Sequence, residues 1–174
     1  MAGLVDTIRA QPGPIYGVFD AARSKKVYPE LVRSKLVFRS LYDMPAAARF
    51  IDIAPYLVYL DPEHESVDAL LECAEGDSWA IFLASGAPFD DIRHHLRKFI
   101  KVELEGHEQA VFFRFYDPRV FRDVIPEFEA EQLERFFELP DYYLCESEEG
   151  IDRYTFRDDA LEVLPCPRSP DAAL

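Results

Sequence analysis

The first half of the chain contains four short runs of apolar and aromatic residues, and each has the length of a β-strand. Proline, glycine or aspartate residues lie next to every run, as expected where strands end in turns. Such runs are far too short for a membrane span, which needs about 18 to 20 apolar residues. They therefore predict strands in a protein core, at residues 15–19, 36–42, 54–60 and 79–83.

Amphipathic segments separate these runs and predict helices. Ile92 and Leu96 lie about one helical turn apart, while arginine and lysine residues occupy neighbouring positions that face elsewhere. Similar spacing predicts a helix that begins near Pro29, a helix with Pro45 in its first turn, and a helix over residues 66–73. Strands and helices therefore alternate along this part of the chain.

The second half of the chain predicts two β-hairpins with short helices between them. Residues 102–104 and 110–116 flank a glycine-containing loop, which is typical of a hairpin. The other predicted elements are two helices, a second hairpin and a further strand, at residues 120–124, 129–138, 142–145, 151–156 and 161–164.

Together these elements predict a mixed α+β fold in which helices cover a largely antiparallel or mixed sheet. We expect residues 1–125 to form the α/β core and residues 126–164 to form a small acidic C-terminal lobe. Residues 165–174 include three prolines and are expected to form a frayed tail. The order of the strands in the sheet does not follow from the sequence.

Composition and charge narrow the class of protein. Hydrophobic residues make up 49% of the 174 positions, enough to fill one domain core. The formal net charge of −14 would repel phosphates and anionic lipid headgroups, so neither nucleic acid nor a membrane surface is an expected partner. The N-terminus lacks the pattern of a secretory signal, which favours a cytoplasmic location. Cys73, Cys145 and Cys166 are widely spaced and predict reduced thiols.

The charged residues are unevenly distributed along the chain. Residues 20–50 contain seven basic and three acidic side chains, a balance of +4. Residues 127–152 contain ten acidic side chains and one arginine, a balance of −9. Such a two-ended charge distribution suits selective protein association, although a solvated acidic face that maintains solubility explains it equally well.

Histidine and carboxylate residues give no specific support for a metal enzyme. Neighbouring residues on a helix point about 100° apart, so His94 and His95 cannot chelate one ion, and we expect them at the surface or at an edge. Asp61, His64 and Glu65 match no recognised ligand-loop pattern, and a solvated helix-capping turn explains them better.

Nucleophilic catalysis has equally little support. Ser85 follows a predicted strand, but it lacks the flanking glycines of a nucleophile elbow, so a helix-capping role is expected. The seven glycines are too scattered to form a phosphate-binding loop. The sequence therefore predicts no catalytic residue, no cofactor and no metal.

An aromatic segment at residues 113–120 contains an unusual polar face. Its predicted strand would place Arg114 and Tyr116 on one side and Phe113 and Phe115 on the other. Arg114 could pair bidentately with a carboxylate such as Asp20 or Asp43, or it could face a partner. A partly buried ion pair is the favoured interpretation.

Six segments follow one another in a recognisable order: DAAR at residues 20–23, FRSLYD at 38–43, APYLV at 54–58, WAIFL at 79–83, HLRKF at 95–99 and FRFYDPRV at 113–120. In this order they resemble the bacterial type VI secretion effector-adaptor family, whose members carry the domain of unknown function 4123. The resemblance extends from about Tyr16 to Phe137. Ala80 departs from the pattern, because a glycine is expected there after the tryptophan.

The resemblance implies a non-enzymatic adaptor or chaperone in the cytoplasm. Such a protein binds a toxin effector and helps to load it onto the valine-glycine-repeat spike protein before secretion. It needs separate surfaces for cargo and spike, and the basic first third and acidic last third are candidates. Arg39 and Arg114 are the preferred partner contacts among the motif residues proposed for binding, which are Arg39, Trp79, Arg114, Tyr116, Asp117 and Arg119.

Two alternative functions stay open at this stage. An immunity-type protein would neutralise a toxin by direct binding, and strong acidity would suit a basic toxin. A metal-dependent hydrolase would use Asp61, His64 or His94 as ligands. Inhibition of a toxin would distinguish the first alternative, and a stoichiometric bound ion would distinguish the second.

Overall fold

The computed structural model describes residues 3–43, 46–102 and 111–166. A single 3₁₀ turn in the described ranges, Ile125–Glu127, follows α6. In chain order the helices and strands are α1 (Leu4–Arg9), β1 (Ile15–Asp20), α2 (Val27–Ser34), β2 (Phe38–Ser40), α3 (Ala46–Arg49), β3 (Pro55–Tyr59), α4 (Ser66–Ala74), β4 (Ala80–Ala84), α5 (Phe89–Arg97), β5 (Lys101–Val102), β6 (Val111–Phe112), α6 (Pro118–Val124), α7 (Ala130–Phe136), β7 (Tyr142–Ser147), β8 (Gly150–Arg157) and β9 (Ala160–Pro165).

Seven of these strands form one antiparallel sheet in the order β2-β3-β1-β4-β7-β8-β9. The first strand lies near the middle, where Val18 pairs with Leu57 on one side and Ile81 on the other. Strands β5 and β6 form a separate two-stranded ribbon. The predicted α+β class with an antiparallel sheet is therefore confirmed.

Side chains on both faces of the central strands are buried, which explains why the strands are apolar throughout. Successive residues of a strand point to opposite faces. In β1, Ile15 and Phe19 enter one core, whereas Tyr16 and Val18 enter the other. A strand covered on both faces has no need for alternating polar residues, and its sequence becomes a continuous hydrophobic run.

Helices from the N-terminal half cover the first face of the sheet. Leu4, Ile8, Leu31 and Leu71, from α1, α2 and α4, are all buried in the first core. The amide of Leu4 also donates a hydrogen bond of 2.9 Å to Oε1 of Glu75. The sequence did not predict α1, because only a weak apolar patch marks it.

Helices α5, α6 and α7 cover the second face, whose core is strongly aromatic. The ring of Phe136 stacks on Tyr143 with centroids 4.7 Å apart and makes edge contacts with Phe99 and Phe115. Phe136 is completely buried. Aromatic pairs of this kind stabilise a core beyond the burial of their surface area.

The acidic C-terminal segment extends the central sheet. Phe82 of β4 pairs with Leu144 of β7, and Leu133 of α7 is buried in the second core. The boundary proposed at residue 126 stays a prediction. Pro165 ends β9, and residues 167–174 of the predicted tail lie outside the described residues. Within the described ranges, no helix combines the length and apolarity needed to cross a bilayer.

The first predicted hairpin is described only in part: β5 pairs with β6, whereas residues 103–110, which include its loop, lie outside the described residues. Strand β6 ends well before the predicted residue 116. Lys101 pairs with Phe112, and β6 ends there. The amide of Phe113 still donates to the carbonyl oxygen of Ile100 at 2.9 Å, and the chain then turns, so that the amide of Asp117 donates to the carbonyl oxygen of Arg114. The prediction that residues 113–116 continue the strand is therefore wrong. Phe115 and Tyr116 are both buried, so they do not lie on opposite apolar and polar faces.

Candidate functional site

Two buried carboxylates and two half-exposed guanidinium groups meet where β1 ends and α6 begins. We call Asp20, Arg114, Asp117 and Arg119 the arginine–aspartate cluster. Asp20 is the last residue of β1, Arg114 lies in the turn after β6, and Asp117 is the N-cap of α6. The fold thus brings together residues separated by 94 positions.

Asp20 is fully buried, and its backbone and side chain are both hydrogen-bonded. The Asp20 amide donates to the carbonyl oxygen of Trp79 at 2.8 Å. Its Oδ1 accepts from the Ala22 amide at 3.0 Å, and its Oδ2 accepts from Nη2 of Arg114. The favoured interpretation of Arg114, a partly buried ion pair, is therefore confirmed, although one nitrogen makes the contact and the pair is not bidentate.

Asp117 anchors the second half of the cluster. Its Oδ1 accepts from the backbone amide and from Nε of Arg119, at 3.1 and 3.0 Å, and its Oδ2 accepts from Nη2 at 2.6 Å. The first of these bonds caps α6, and the other two form a bidentate ion pair. Nη2 of Arg114 lies 3.6 Å from Asp117 Oδ2 and links the two pairs.

The two carboxyl groups respond differently to this environment. Burial raises the pKa of Asp20 above its ordinary value, although the hydrogen bond and charge of Arg114 oppose the change. Burial also acts to raise the pKa of Asp117, but the hydrogen bonds and charge of Arg119 outweigh it, so that pKa is lowered. The charged form of Asp20 is consequently stabilised mainly by one cation, Arg114.

The guanidinium groups of the cluster face outward. The Arg114 side chain is 41% exposed and the Arg119 side chain is 53% exposed, whereas both carboxylates are at most 1% exposed. Buried anions therefore hold two cations in defined positions at the surface. Such fixed cations can bind a carboxylate of another protein with little further loss of side-chain entropy.

The other two motif residues near the cluster serve packing. Trp79 is 2% exposed and belongs to the first core, directly beside the backbone of Asp20. Tyr116 is 1% exposed and lies in the second core, where burial and the neighbouring Tyr42 raise its pKa. Partner contact through either side chain would require the core to open.

Arg39 lies apart from the cluster, on the edge strand β2. Its side chain is 63% exposed and forms an ion pair of 3.3 Å with Asp90 at the start of α5. Nearby, Nε of Arg93 donates to the carbonyl oxygen of Ser40 at 2.8 Å. Burial and the charges of neighbouring arginines lower the pKa of Arg93. Arg39 is thus a surface cation in a region rich in arginine.

The neighbouring residues His94 and His95 lie in different environments, one at the surface and one in the core. His94 is exposed, but His95 is 1% exposed, so the expected surface position of His95 is wrong. Its ring packs against Phe99 at 5.3 Å, and Nε2 lies 3.1 Å from the Phe136 carbonyl oxygen. Burial lowers its pKa. His95 faces the core because it lies three residues after Ile92 on the buried side of α5.

The other polar candidates have structural roles. Asp61 Oδ1 accepts from the Glu63 amide at 3.0 Å, and His64 Nδ1 accepts from the Ser66 amide at 3.2 Å. In the described part of the chain, no three histidine, cysteine, aspartate or glutamate residues gather as metal ligands. The Ser85 hydroxyl donates to the carbonyl oxygen of Leu139 at 2.7 Å and accepts from the amide of Ala87, just before α5, at 3.1 Å.

The three cysteines are free, as predicted. Cys145 is buried in the second core, and burial raises its pKa. A raised pKa keeps a thiol protonated and unreactive. Cys73 is exposed on α4.

A surface groove that the sequence did not predict lies on the same face of the sheet as α5. Buried Leu41 and Ile100 form its floor, and the rings of Tyr42, Phe50 and Phe112 form its walls. Its volume is about 160 Å³. We call it the aromatic groove. Its wall residues are scattered over residues 42–112, so no local pattern in the sequence identifies it.

Comparison with known protein families gives a match over most of the chain. The family model described as "Domain of unknown function (DUF4123)" matches residues 15–135, which is more than half of the chain. This segment runs from the start of β1 into α7 and includes the whole arginine–aspartate cluster. No curated protein and no solved structure matches the chain significantly. The chain therefore belongs to the family defined by the domain of unknown function DUF4123.

Proposed function

We propose that this protein is a non-enzymatic adaptor or chaperone that binds a toxin effector and helps to load it onto the type VI secretion spike protein. The type of function comes from the order of sequence motifs that resembles the effector-adaptor family. The observation that carries the proposal is the arginine–aspartate cluster, in which buried Asp20 and Asp117 hold Arg114 and Arg119 at the surface. Fixed arginines are favoured centres of protein–protein contact.

The distribution of charge supports a protein that contacts more than one partner. Arg39, Arg93 and Arg97 lie around β2 and α5, whereas acidic residues dominate the segment that leads through α7 to β8. Surfaces of opposite sign can select different partners and speed the encounter with each. An adaptor that carries cargo to a spike needs such a division.

The test is co-expression of the tagged full chain with the toxin and the C-terminal part of the spike encoded beside it. Size-exclusion chromatography at low and moderate salt would then reveal the complexes. We expect a ternary complex, or two binary ones, that weaken as the salt concentration rises. Elution of the chain apart from both proteins would overturn the proposal.

Arg39 is the best position for charge reversal in this test. Its ion-pair partner Asp90 is 74% exposed, so Arg39→Glu should leave folding nearly unchanged. Reversal of Arg114 would instead place two carboxylates together in the interior. Arg33→Glu is the matched control, because Arg33 is 72% exposed on α2 and belongs to no family motif.

The same mixture tests the immunity-type alternative. A protein that neutralises the toxin would abolish its activity at a stoichiometric ratio, whereas an adaptor binds without needing to inhibit. Measurement of toxin activity with and without this chain therefore separates the two functions.

A further inference from the structure

The aromatic groove has the size and the chemistry of a receptor for one side chain of another protein. Its volume of about 160 Å³ resembles that of apolar cavities that accept a benzene ring. Phe112 is 54% exposed and Phe50 is 39% exposed, although both are large apolar residues. Their rings, with Tyr42, leave apolar surface in contact with water that a bound side chain would cover.

Two further exposed apolar residues follow Phe50 closely in the chain, but neither lines the groove. Ile51 is 36% exposed and Ile53 is 49% exposed, immediately after Phe50. The rings of Tyr42 and Phe112, which both line the groove, lie 5.6 Å apart. The groove itself therefore suits one apolar side chain of a bound segment.

In the part of the chain that the structure describes, cations outnumber carboxylates around the groove. The Arg49 guanidinium lies 5.5 Å from the centre of the Phe50 ring, and Nζ of Lys101 lies 6.0 Å from the centre of the Phe112 ring. Arg97 also lines the groove and forms an ion pair with Asp43. Counted over the described residues only, these three cations and Asp43 give a balance of +2, which exposed Asp52, two positions after Phe50, reduces to +1. The net charge of the whole chain is −14.

These charges identify the chemistry of the occupant. The net negative charge of the protein repels an acidic segment at long range, and the cations around the groove attract it locally. Resting on the function proposed above, we infer that the aromatic groove binds an acidic amphipathic segment of the toxin, with an aromatic or leucine side chain in the cavity. We assign the toxin rather than the spike because a chaperone shields apolar segments of its cargo from water.

The test measures the affinities of the toxin and of the C-terminal part of the spike for the purified full chain. Phe112→Asp should weaken toxin binding by about 30-fold, the effect of losing a central contact. Lys101→Glu should weaken it by about 5-fold and reduce its salt dependence. Spike binding should stay unchanged. Val37→Asp and Lys25→Glu are the matched controls, because both side chains are exposed outside the groove.

Each other outcome would overturn a different statement. If the wild type binds both the toxin and the spike, and the groove variants bind the toxin equally well, the groove is not the toxin site. The adaptor function would then stand. Loss of spike binding alone would reject the assignment of the toxin. A wild-type chain that binds neither protein would reject the adaptor function itself. If Phe112→Asp lowers the thermal midpoint of the isolated chain strongly and Lys101→Glu leaves toxin binding unchanged, the groove is part of the core and the inference fails.

Discussion

Replacement of Arg114 with methionine should destabilise the protein by about 2 to 3 kcal/mol at pH 7. Methionine preserves much of the side-chain length but removes the cation that contacts fully buried Asp20. Two unit charges about 4 Å apart interact by about 4 kcal/mol at an effective dielectric constant of about 20. We reduce this value because the Arg114 side chain is 41% exposed and water screens part of the interaction.

The pH dependence of this loss distinguishes a lost ion pair from a simple packing defect. Burial already raises the pKa of Asp20 in the folded protein, and removal of Arg114 should raise it further. When the pKa of a carboxyl group is higher in the folded than in the unfolded protein, the folded state binds the proton more tightly. The protonated group therefore favours folding at low pH, and this stabilisation is lost as the pH rises through the folded pKa. The penalty of Arg114→Met should therefore be smaller at pH 5 than at pH 7.

The assay is urea unfolding of the wild type and the variant at pH 5 and pH 7. Trp79 is the single tryptophan and is buried beside Asp20, so its fluorescence should report the transition. Arg39→Met is the matched control, because it removes an arginine whose partner is exposed. That variant should lose less than about 1 kcal/mol, with no difference between the two pH values.

A second variant isolates the interaction of Asp20 with Arg114. Asp20→Asn removes the buried charge and keeps a side-chain oxygen that can accept from the Ala22 amide. In that background, Arg114→Met should cost less than about 1 kcal/mol, because no buried anion is left without a partner. The electrostatic argument would be refuted if Arg114→Met lowered the free energy of unfolding equally in the wild-type and Asp20→Asn backgrounds. An equal decrease at pH 5 and pH 7 would also refute it.

Two further substitutions test the packing of the cores. Gly17→Ala should destabilise the chain by about 1 to 3 kcal/mol, because a Cβ atom there would lie 2.6 Å from the ring of buried Phe19. A calorimetric midpoint equal to that of the wild type would contradict this contact. Phe136→Ala should cost about 3 to 5 kcal/mol in urea unfolding, since it empties the centre of the aromatic core. A loss below about 1 kcal/mol would mean that the surrounding rings collapse into the space.

Local sequence patterns predicted the elements whose side chains enter a core at regular spacing. Strands β1, β3 and β4 correspond closely to the apolar runs, and α4 corresponds to the predicted helix at residues 66–73. These segments are identifiable because burial on two faces of a sheet, or on one face of a helix, imposes a composition and a period on consecutive residues. Helix α1 lacks that signal because it is only six residues long, and its three buried residues are too few to show a period.

Local pattern failed where contacts with distant residues decided the conformation. Alternation predicted a strand through residues 113–116, but the chain turns there, so that Arg114 contacts Asp20 and Asp117 caps α6. The neighbouring histidines looked alike in sequence, yet α5 directs His95 into the aromatic core and leaves His94 exposed. At residues 113–116 the energy of non-local contacts outweighs the local preference. The burial of His95, by contrast, follows from its helical spacing from Ile92.

The sequence by itself determined the class of fold, the free cysteines, the family motifs and the possibility that Arg114 pairs with Asp20. Each of these follows from residue types or from their order along the chain. Only the tertiary structure decided the strand order, the exposure of the cluster arginines and the aromatic groove. These features depend on which distant segments pack together, because a fixed cation or a groove is produced by residues whose proximity no local periodicity encodes.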